Sequence, residues 1–194
     1  MEIFAGFPIM PILKKEPDMY PENLLEDWAE TRTDANWYAF YTMSRHEKEL
    51  MRRLRAQKIS HYGPTIQQRK RSPQGRIRTS HVPLFAGYVF VFGNTIERYD
   101  AIATGCVSRC IEVKEHSQLL VDLRKISKLI TYGTDVQQEP KPIVGRRAVI
   151  KRGAMAGLSG VVTLSDSRHR LTVLVHFMQQ GASVVIDETD VDLV

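Results

Sequence analysis

The sequence predicts an α+β protein: an antiparallel sheet with helices on one side, followed by a small β-barrel. Between residues 36 and 133, apolar residues alternate in some runs and recur every three or four positions in others, so strands and amphipathic helices follow one another. From residue 145 onward, short β-branched runs surround a glycine-rich turn, as in a compact barrel. The predicted segments are an extension (1–34), an α+β domain (35–133), a linker (134–144) and a barrel domain (145–194).

The extension is acidic and contains four prolines. Proline and repelling like charges oppose compact packing, so we expect a loose segment with one helical turn around residues 24–28. The sequence leaves open whether this segment docks on the basic surface of its own chain or remains a free leader.

The α+β domain begins with a strand over residues 36–42, in which apolar and aromatic side chains occupy both faces. A basic helix follows. Its start is indicated by Ser44 and Glu47, which have the spacing of a capping box. Its apolar stripe consists of Leu50, Met51 and Leu54.

A β-hairpin is predicted next, with arms at 61–68 and 77–82 and a turn at Pro73 and Gly75. Further elements complete the domain: a strand (84–92), a short helix (96–103), a strand (107–113) and a longer helix that begins at Ser117 and ends at Gly133.

Three glycines, Gly153, Gly157 and Gly160, lie between two apolar runs of the barrel domain. Glycine adopts positive φ without steric cost and allows close approach of two backbones. The pattern therefore predicts a tight loop between two strands.

Charge is distributed unevenly along the chain, although the net charge is only +5. Residues 1–34 carry 3 Lys and Arg against 8 Asp and Glu, a net −5, whereas residues 45–82 carry 11 against 2, a net +9. Concentrated positive charge favours a polyanion, because phosphates that are neutralised release counterions. We expect one strongly basic face.

Several kinds of chemistry lack their usual sequence patterns. Cys106 and Cys110 are too few for a disulfide framework and do not have metal-ligand spacing, and the six histidines are scattered. No nucleophile elbow or phosphate-binding loop occurs. We therefore expect no enzyme activity, no metal and no cofactor. The absence of a long apolar run or a signal-peptide pattern predicts a cytoplasmic protein without membrane association, and we expect a monomer.

The order of these motifs resembles the NusG family of transcription elongation factors. The strand Asn36-Trp37-Tyr38-Ala39 precedes a basic helix that opens Ser44-Arg45-His46-Glu47-Lys48. The strand Pro83-Leu84-Phe85-Ala86-Gly87-Tyr88-Val89-Phe90-Val91 follows the hairpin, and the C-terminal glycine loop resembles the KOW motif. The acidic extension is atypical of the minimal factor and favours a specialised, RfaH-like paralogue.

The resemblance implies a non-catalytic elongation factor that binds RNA polymerase and modulates pausing, termination or antitermination. It assigns polymerase binding to Trp37, Phe85 and Tyr88. Contact with the non-template DNA strand or nascent RNA is expected at Arg45, His46, Arg52, Arg69, Lys70, Arg71 and Arg76. The KOW domain, which contains the glycine loop, would recruit a ribosomal protein or a termination factor through Phe177 and Met178.

An alternative function is open from the sequence. Ribosomal proteins share the KOW motif, so the chain is also compatible with a ribosome-associated RNA-binding protein. The α+β domain, with its aromatic side chains, distinguishes the two functions, because a ribosomal KOW protein does not need it.

Overall fold

The computed structural model describes residues 15–71, 75, 77–139, 145–165 and 168–194. In this part of the chain, the strands form a five-stranded sheet, a six-stranded sheet and a two-stranded hairpin, all antiparallel.

The bounds of the elements follow the chain. The strands are β1 (Met19–Tyr20), β2 (Asn36–Thr42), β3 (Ser60–Tyr62), β4 (Thr65–Arg71), β5 (Ile77–Pro83), β6 (Tyr88–Gly93), β7 (Val107–Glu112), β8 (Gln137–Glu139), β9 (Arg146–Ile150), β10 (Ser159–Ser165), β11 (Arg168–Val175), β12 (Gln180–Val185) and β13 (Val191–Leu193). The helices are α1 (Ala29–Thr31), α2 (Glu47–Ala56), α3 (Thr95–Ala103) and α4 (His116–Tyr132). A π-helical turn (Leu24–Trp28) precedes α1, and a 3₁₀ turn (Glu188–Asp190) precedes β13.

The five-stranded sheet has the order β1-β3-β6-β2-β7, with β2 and β6 near its centre. Both strands are nearly continuous apolar runs, which is typical of a sheet covered on both faces. One face packs on α2 and α3. The other packs on α4. The helices thus lie on both sides of the sheet, which corrects the prediction of a one-sided layer.

The described part of the extension is docked on the domain rather than loose. β1 pairs with β3, so that Met19 lies opposite Tyr62 and the sheet gains a strand. Two backbone carbonyls of the π-helical turn accept hydrogen bonds from the Arg124 side chain in α4. Arg32 forms a two-pronged ion pair with Glu97, both N–O distances being 2.9 Å. The helical turn itself lies where the sequence predicts it.

Within the described residues, α2 and α4 begin without a side-chain cap. The predicted capping box of Ser44 and Glu47 does not form, because the Glu47 carboxylate accepts a hydrogen bond from the backbone N–H of Gly87 at 2.7 Å. α4 begins at His116, one residue before the predicted cap, and Gly133 follows its last residue as predicted. α3 has the capping box, formed by Asn94 and Glu97.

The six-stranded sheet is separate and has the order β13-β9-β10-β11-β12-β8. β8 lies inside the range predicted as a linker, and it pairs with β12 through Gly181 and Glu139. Among the described residues, no hydrogen-bonded ladder joins the edge strands β8 and β13. Closure into the predicted barrel is therefore not shown.

α4 lies between the two large sheets and contacts both of them. Asp122 is 1% exposed, and its carboxylate accepts hydrogen bonds from the backbone N–H of His176 and from Gln118 Nε2, both at 2.8 Å. Lys125 Nζ donates to Ser159 Oγ at 3.1 Å, one helical turn from Asp122. Apolar side chains of both sheets and of α4 belong to one buried cluster. The N-terminal and C-terminal parts consequently share a core.

Candidate nucleic-acid and partner interfaces

α2 presents an exposed basic face on one side of the five-stranded sheet. Leu50, Met51 and Leu54 are buried against the sheet, so the opposite side of the helix faces solvent. Arg52 lies on that exposed side, and Arg45 and His46 are exposed in the turn that leads into the helix. The structure therefore places these three candidate nucleic-acid contacts on accessible surface.

Carboxylates form ion pairs with part of this basic face. Arg52 forms ion pairs with Glu49 and with Glu16 of the extension, the latter at 3.1 Å. The hydrogen bond that Arg52 donates to the Glu16 carboxylate is the main reason why the pKa of Arg52 is raised. Arg53, which sequence reasoning did not single out, donates to Glu49 at 2.8 Å and also to the backbone carbonyl of Thr104.

Two further cations of α2 bind backbone carbonyls. Lys48 Nζ donates to the carbonyl of His81 in β5 at 2.7 Å, and Arg55 donates to the carbonyl of Pro17 at 2.7 Å. The first bond ties the helix to the hairpin and brings the two basic elements together. The sequence predicts that this helix is basic, but it does not indicate these carbonyl partners, which are distant in sequence.

The hairpin carries the second group of candidate contacts. β4 and β5 pair from Thr65 opposite Pro83 to Arg71 opposite Ile77. Arg69, Lys70 and Arg71 are all exposed near the end of β4. Arg69 and Arg71 share one face and Lys70 lies on the other, because side chains alternate along a strand. Arg76 lies outside the described residues.

The three candidate polymerase contacts differ in exposure. Trp37 is 2% exposed and packs on Phe92, and Phe85 is 1% exposed and packs edge-on against Phe90. Both side chains are part of the core in this structure. Tyr88 is half-buried and therefore offers part of its ring to solvent.

Tyr41 accompanies Tyr88 at the surface. The two residues are opposite each other on β2 and β6, with ring centroids 5.2 Å apart in an edge-on arrangement. Tyr41 is 43% exposed. The alternation of β2 places it on the same face as Trp37, so the sequence pattern itself indicates this position. The pair forms an exposed aromatic patch.

The three glycines of the predicted KOW loop have two different roles. Gly153 and Gly157 have φ of +79° and +81°, which L side chains rarely adopt. Gly160 lies in β10, where a Cβ atom would be 2.3 Å from the carbonyl oxygen of Thr172. The first two glycines shape the loop, and the third allows two strands to approach closely.

The candidate KOW partner contacts lie in the turn between β11 and β12. Phe177 is 37% exposed, whereas Met178 is half-buried against the shared core. Phe177 borders a cleft of about 360 Å³ that the first turns of α4 also line. This turn is therefore next to α4, and the bond from His176 to Asp122 holds it there.

Among the described residues, no group of three or more His, Cys, Asp or Glu side chains is arranged to hold a metal ion. No helix in the described ranges is long and apolar enough to cross a membrane.

Comparison with known proteins assigns the family. Residues 35–148, more than half of the chain, match the family described as "Transcription termination factor nusG". None of the curated proteins compared with the chain matches it. The matched range contains the five-stranded sheet from β2 onward, the basic helix, the hairpin and α4. The chain belongs to the NusG family of transcription elongation and termination factors.

Proposed function

We propose that this chain is a non-catalytic transcription elongation factor that binds RNA polymerase through its N-terminal α+β domain. By this contact it modulates pausing, termination or antitermination. The family match over residues 35–148 is the observation that carries the proposal. The docked acidic extension favours an operon-specific, RfaH-like role over that of a general factor.

The polymerase contact is proposed for the aromatic patch of Tyr88 and Tyr41. Large aromatic side chains at a partly open surface are favoured anchors for a protein partner. Trp37 and Phe85, which are buried, would support the patch from the core rather than touch the polymerase in this conformation. Ala86, which is exposed between Phe85 and Gly87, places a small side chain beside the aromatic patch.

The nucleic-acid contact is proposed for the exposed face of α2 and the neighbouring hairpin. Arg45, His46 and Arg52 would face the non-template DNA strand or nascent RNA together with Arg69, Lys70 and Arg71. Cations along an exposed groove bind the nucleic-acid backbone without sequence preference. We further propose that the six-stranded sheet is a KOW domain, which recruits a ribosomal protein or termination factor through Phe177 and Met178.

The test is a pull-down of bacterial core RNA polymerase with three proteins: the unchanged chain, Tyr88→Ala and Tyr99→Ala. Tyr99 is 59% exposed on α3, so its variant is a matched control for the loss of a surface tyrosine. We expect the chain and the Tyr99→Ala variant to retain polymerase and the Tyr88→Ala variant to lose most of it. Circular dichroism of each variant establishes that it is folded.

Two outcomes would contradict the proposal. Equal retention by all three proteins would place the polymerase contact elsewhere. Capture of ribosomal subunits instead of polymerase would favour the ribosome-associated function that the KOW motif also allows.

A further inference from the structure

The described residues just before β1 are attached to the domain through Asp18. The backbone carbonyl of Asp18 accepts a hydrogen bond from Gly63 N–H at 2.8 Å. Its carboxylate accepts another from the Thr65 hydroxyl at 2.7 Å. β1 follows immediately and pairs with β3. Asp18 and β1 therefore anchor Glu16 and Pro17 next to α2.

The anchored residues bring oxygen atoms to two cations of α2. The Glu16 carboxylate lies 3.1 Å from Arg52 Nε, and the carbonyl oxygen of Pro17 lies 2.7 Å from a guanidinium nitrogen of Arg55. A carboxylate and a carbonyl are hydrogen-bond acceptors, as phosphate oxygens are. The segment thus occupies donors that a nucleic-acid backbone would use.

We propose that Glu16 and Pro17 compete with nucleic-acid phosphates for Arg52 and Arg55, so that the extension attenuates nucleic-acid binding at α2. The inference rests on the proposed function, because it assumes that α2 contacts nucleic acid. It adds an internal competitor to that site and gives the acidic extension a role.

The exposure of the contact suits a competitor that is displaced easily. The side chains of Arg52 and Glu16 are 52% and 39% exposed, so water and salt screen their attraction. Exposed ion pairs of this kind contribute little free energy, so the loss of this pair would change the binding equilibrium by a small factor. The tether to β1 keeps Glu16 at high local concentration near Arg52. Nucleic acid can replace Glu16 while Asp18 and β1 stay bound.

The experiment measures binding of the full chain to a fluorescent oligothymidylate of about 16 nucleotides by anisotropy. Glu16→Gln removes the competing charge and retains the shape of the side chain. Glu22→Gln is the matched control, because Glu22 is an exposed carboxylate of the same extension that lies beyond the anchor. Arg52→Gln tests the site itself, both alone and combined with Glu16→Gln.

We expect Glu16→Gln to bind about two- to fivefold more tightly than Glu22→Gln at low salt, since exposed ion pairs have effects of this size. The difference should shrink as salt is raised, because salt screens both contacts. In the Arg52→Gln background, the Glu16→Gln change should have a smaller effect, since its partner is gone.

The outcomes separate the inference from the function on which it rests. If Arg52→Gln weakens binding but Glu16→Gln binds no more tightly than Glu22→Gln, the competition is wrong and α2 still binds nucleic acid. If neither Arg52→Gln nor Glu16→Gln changes the affinity, the nucleic-acid contact at α2 is itself wrong. Equal gains for Glu16→Gln and Glu22→Gln would indicate a general charge effect and would also overturn the inference.

Discussion

His61 is a buried histidine at the point where the extension meets the sheet. Its ring is 0% exposed and stacks on Tyr20 of β1, with centroids 6.2 Å apart. Nδ1 lies 2.9 Å from the carbonyl oxygen of Ile59, and within the described residues Nε2 has no hydrogen-bond partner. Burial disfavours the charged ring and lowers the pKa of His61 to about 4.

This histidine should make the folded state sensitive to acid. Because its pKa is lower in the folded than in the unfolded chain, the unfolded chain binds the proton first, and stability falls as pH drops from about 6.5 to about 4. The shift corresponds to at most about 3 kcal/mol. We expect His61→Phe, which can still stack on Tyr20, to lose less stability than the unchanged chain over this range.

Urea unfolding at a series of pH values measures the difference. His81→Phe, in the hairpin outside the sheet core, is the control for loss of a histidine. Parallel stability curves for the unchanged chain and His61→Phe would show that the buried ring does not control acid unfolding.

At the level of single elements, α4 is the helix that packs on both large sheets. It covers one face of the five-stranded sheet and also packs on β11 and β12. Asp122, Lys125 and Lys128 form hydrogen bonds with residues of β10 and of two turns of the C-terminal part, whereas apolar residues such as Leu123 lie in the shared core. A buried carboxylate among apolar neighbours needs hydrogen-bond partners, so the packing of α4 depends on the groups that donate to Asp122.

Asp122→Ala should loosen the contact between α4 and the C-terminal sheet. The variant removes the acceptor of a part-buried hydrogen bond from the N–H of His176, and a lost hydrogen bond to a charged group costs roughly 1.5 to 3 kcal/mol. We expect a lower urea midpoint and faster hydrogen exchange at the His176 amide. Asp122→Asn keeps an acceptor oxygen and should lose less, and unchanged exchange in both variants would contradict the role of this bond.

Sequence patterns predict individual elements better than their contacts. β2 and the apolar stripe of α4 follow from period and composition, because local spacing alone determines which side chains share a face. The predicted cap at Ser44 is wrong because Glu47 finds a partner, Gly87, that is 40 residues away. β8 directly precedes Pro140 and has no apolar alternation, so only its pairing with β12 identifies it as a strand.

The candidate site shows the same limit. Composition and helical spacing predict that α2 and the hairpin are basic, and the structure brings them together through Lys48 and His81. Neither pattern indicates that Glu16 lies against Arg52 or that Trp37 and Phe85 are buried. These facts depend on contacts between residues that are far apart in the sequence.

For the whole molecule, the shared core means that the C-terminal sheet stabilises the N-terminal part. The buried cluster runs from the five-stranded sheet through α4 to β11 and β12 without a break. A NusG-family chain with two weakly connected units would have two separate clusters. Unfolding of either part should therefore affect the other.

A fragment of residues 1–133 should be less stable than the full chain. It retains α4 but uncovers the side of the helix that packs on β11 and β12. Each large apolar side chain that becomes exposed costs about 1.5 to 3 kcal/mol. We expect a lower urea midpoint and binding of a hydrophobic dye, both compared with the full chain. An equal midpoint without dye binding would show that the two parts are independent.

The two residues of β1 also protect an edge of the five-stranded sheet. Without β1, the backbone N–H and C=O groups of β3 on that side would have no partner within the sheet. An open sheet edge is a template for pairing with another chain, and proteins commonly cover such edges with a short strand. The extension therefore helps to keep copies of this protein apart, and a chain that lacks it would be prone to self-association even if its core remained folded.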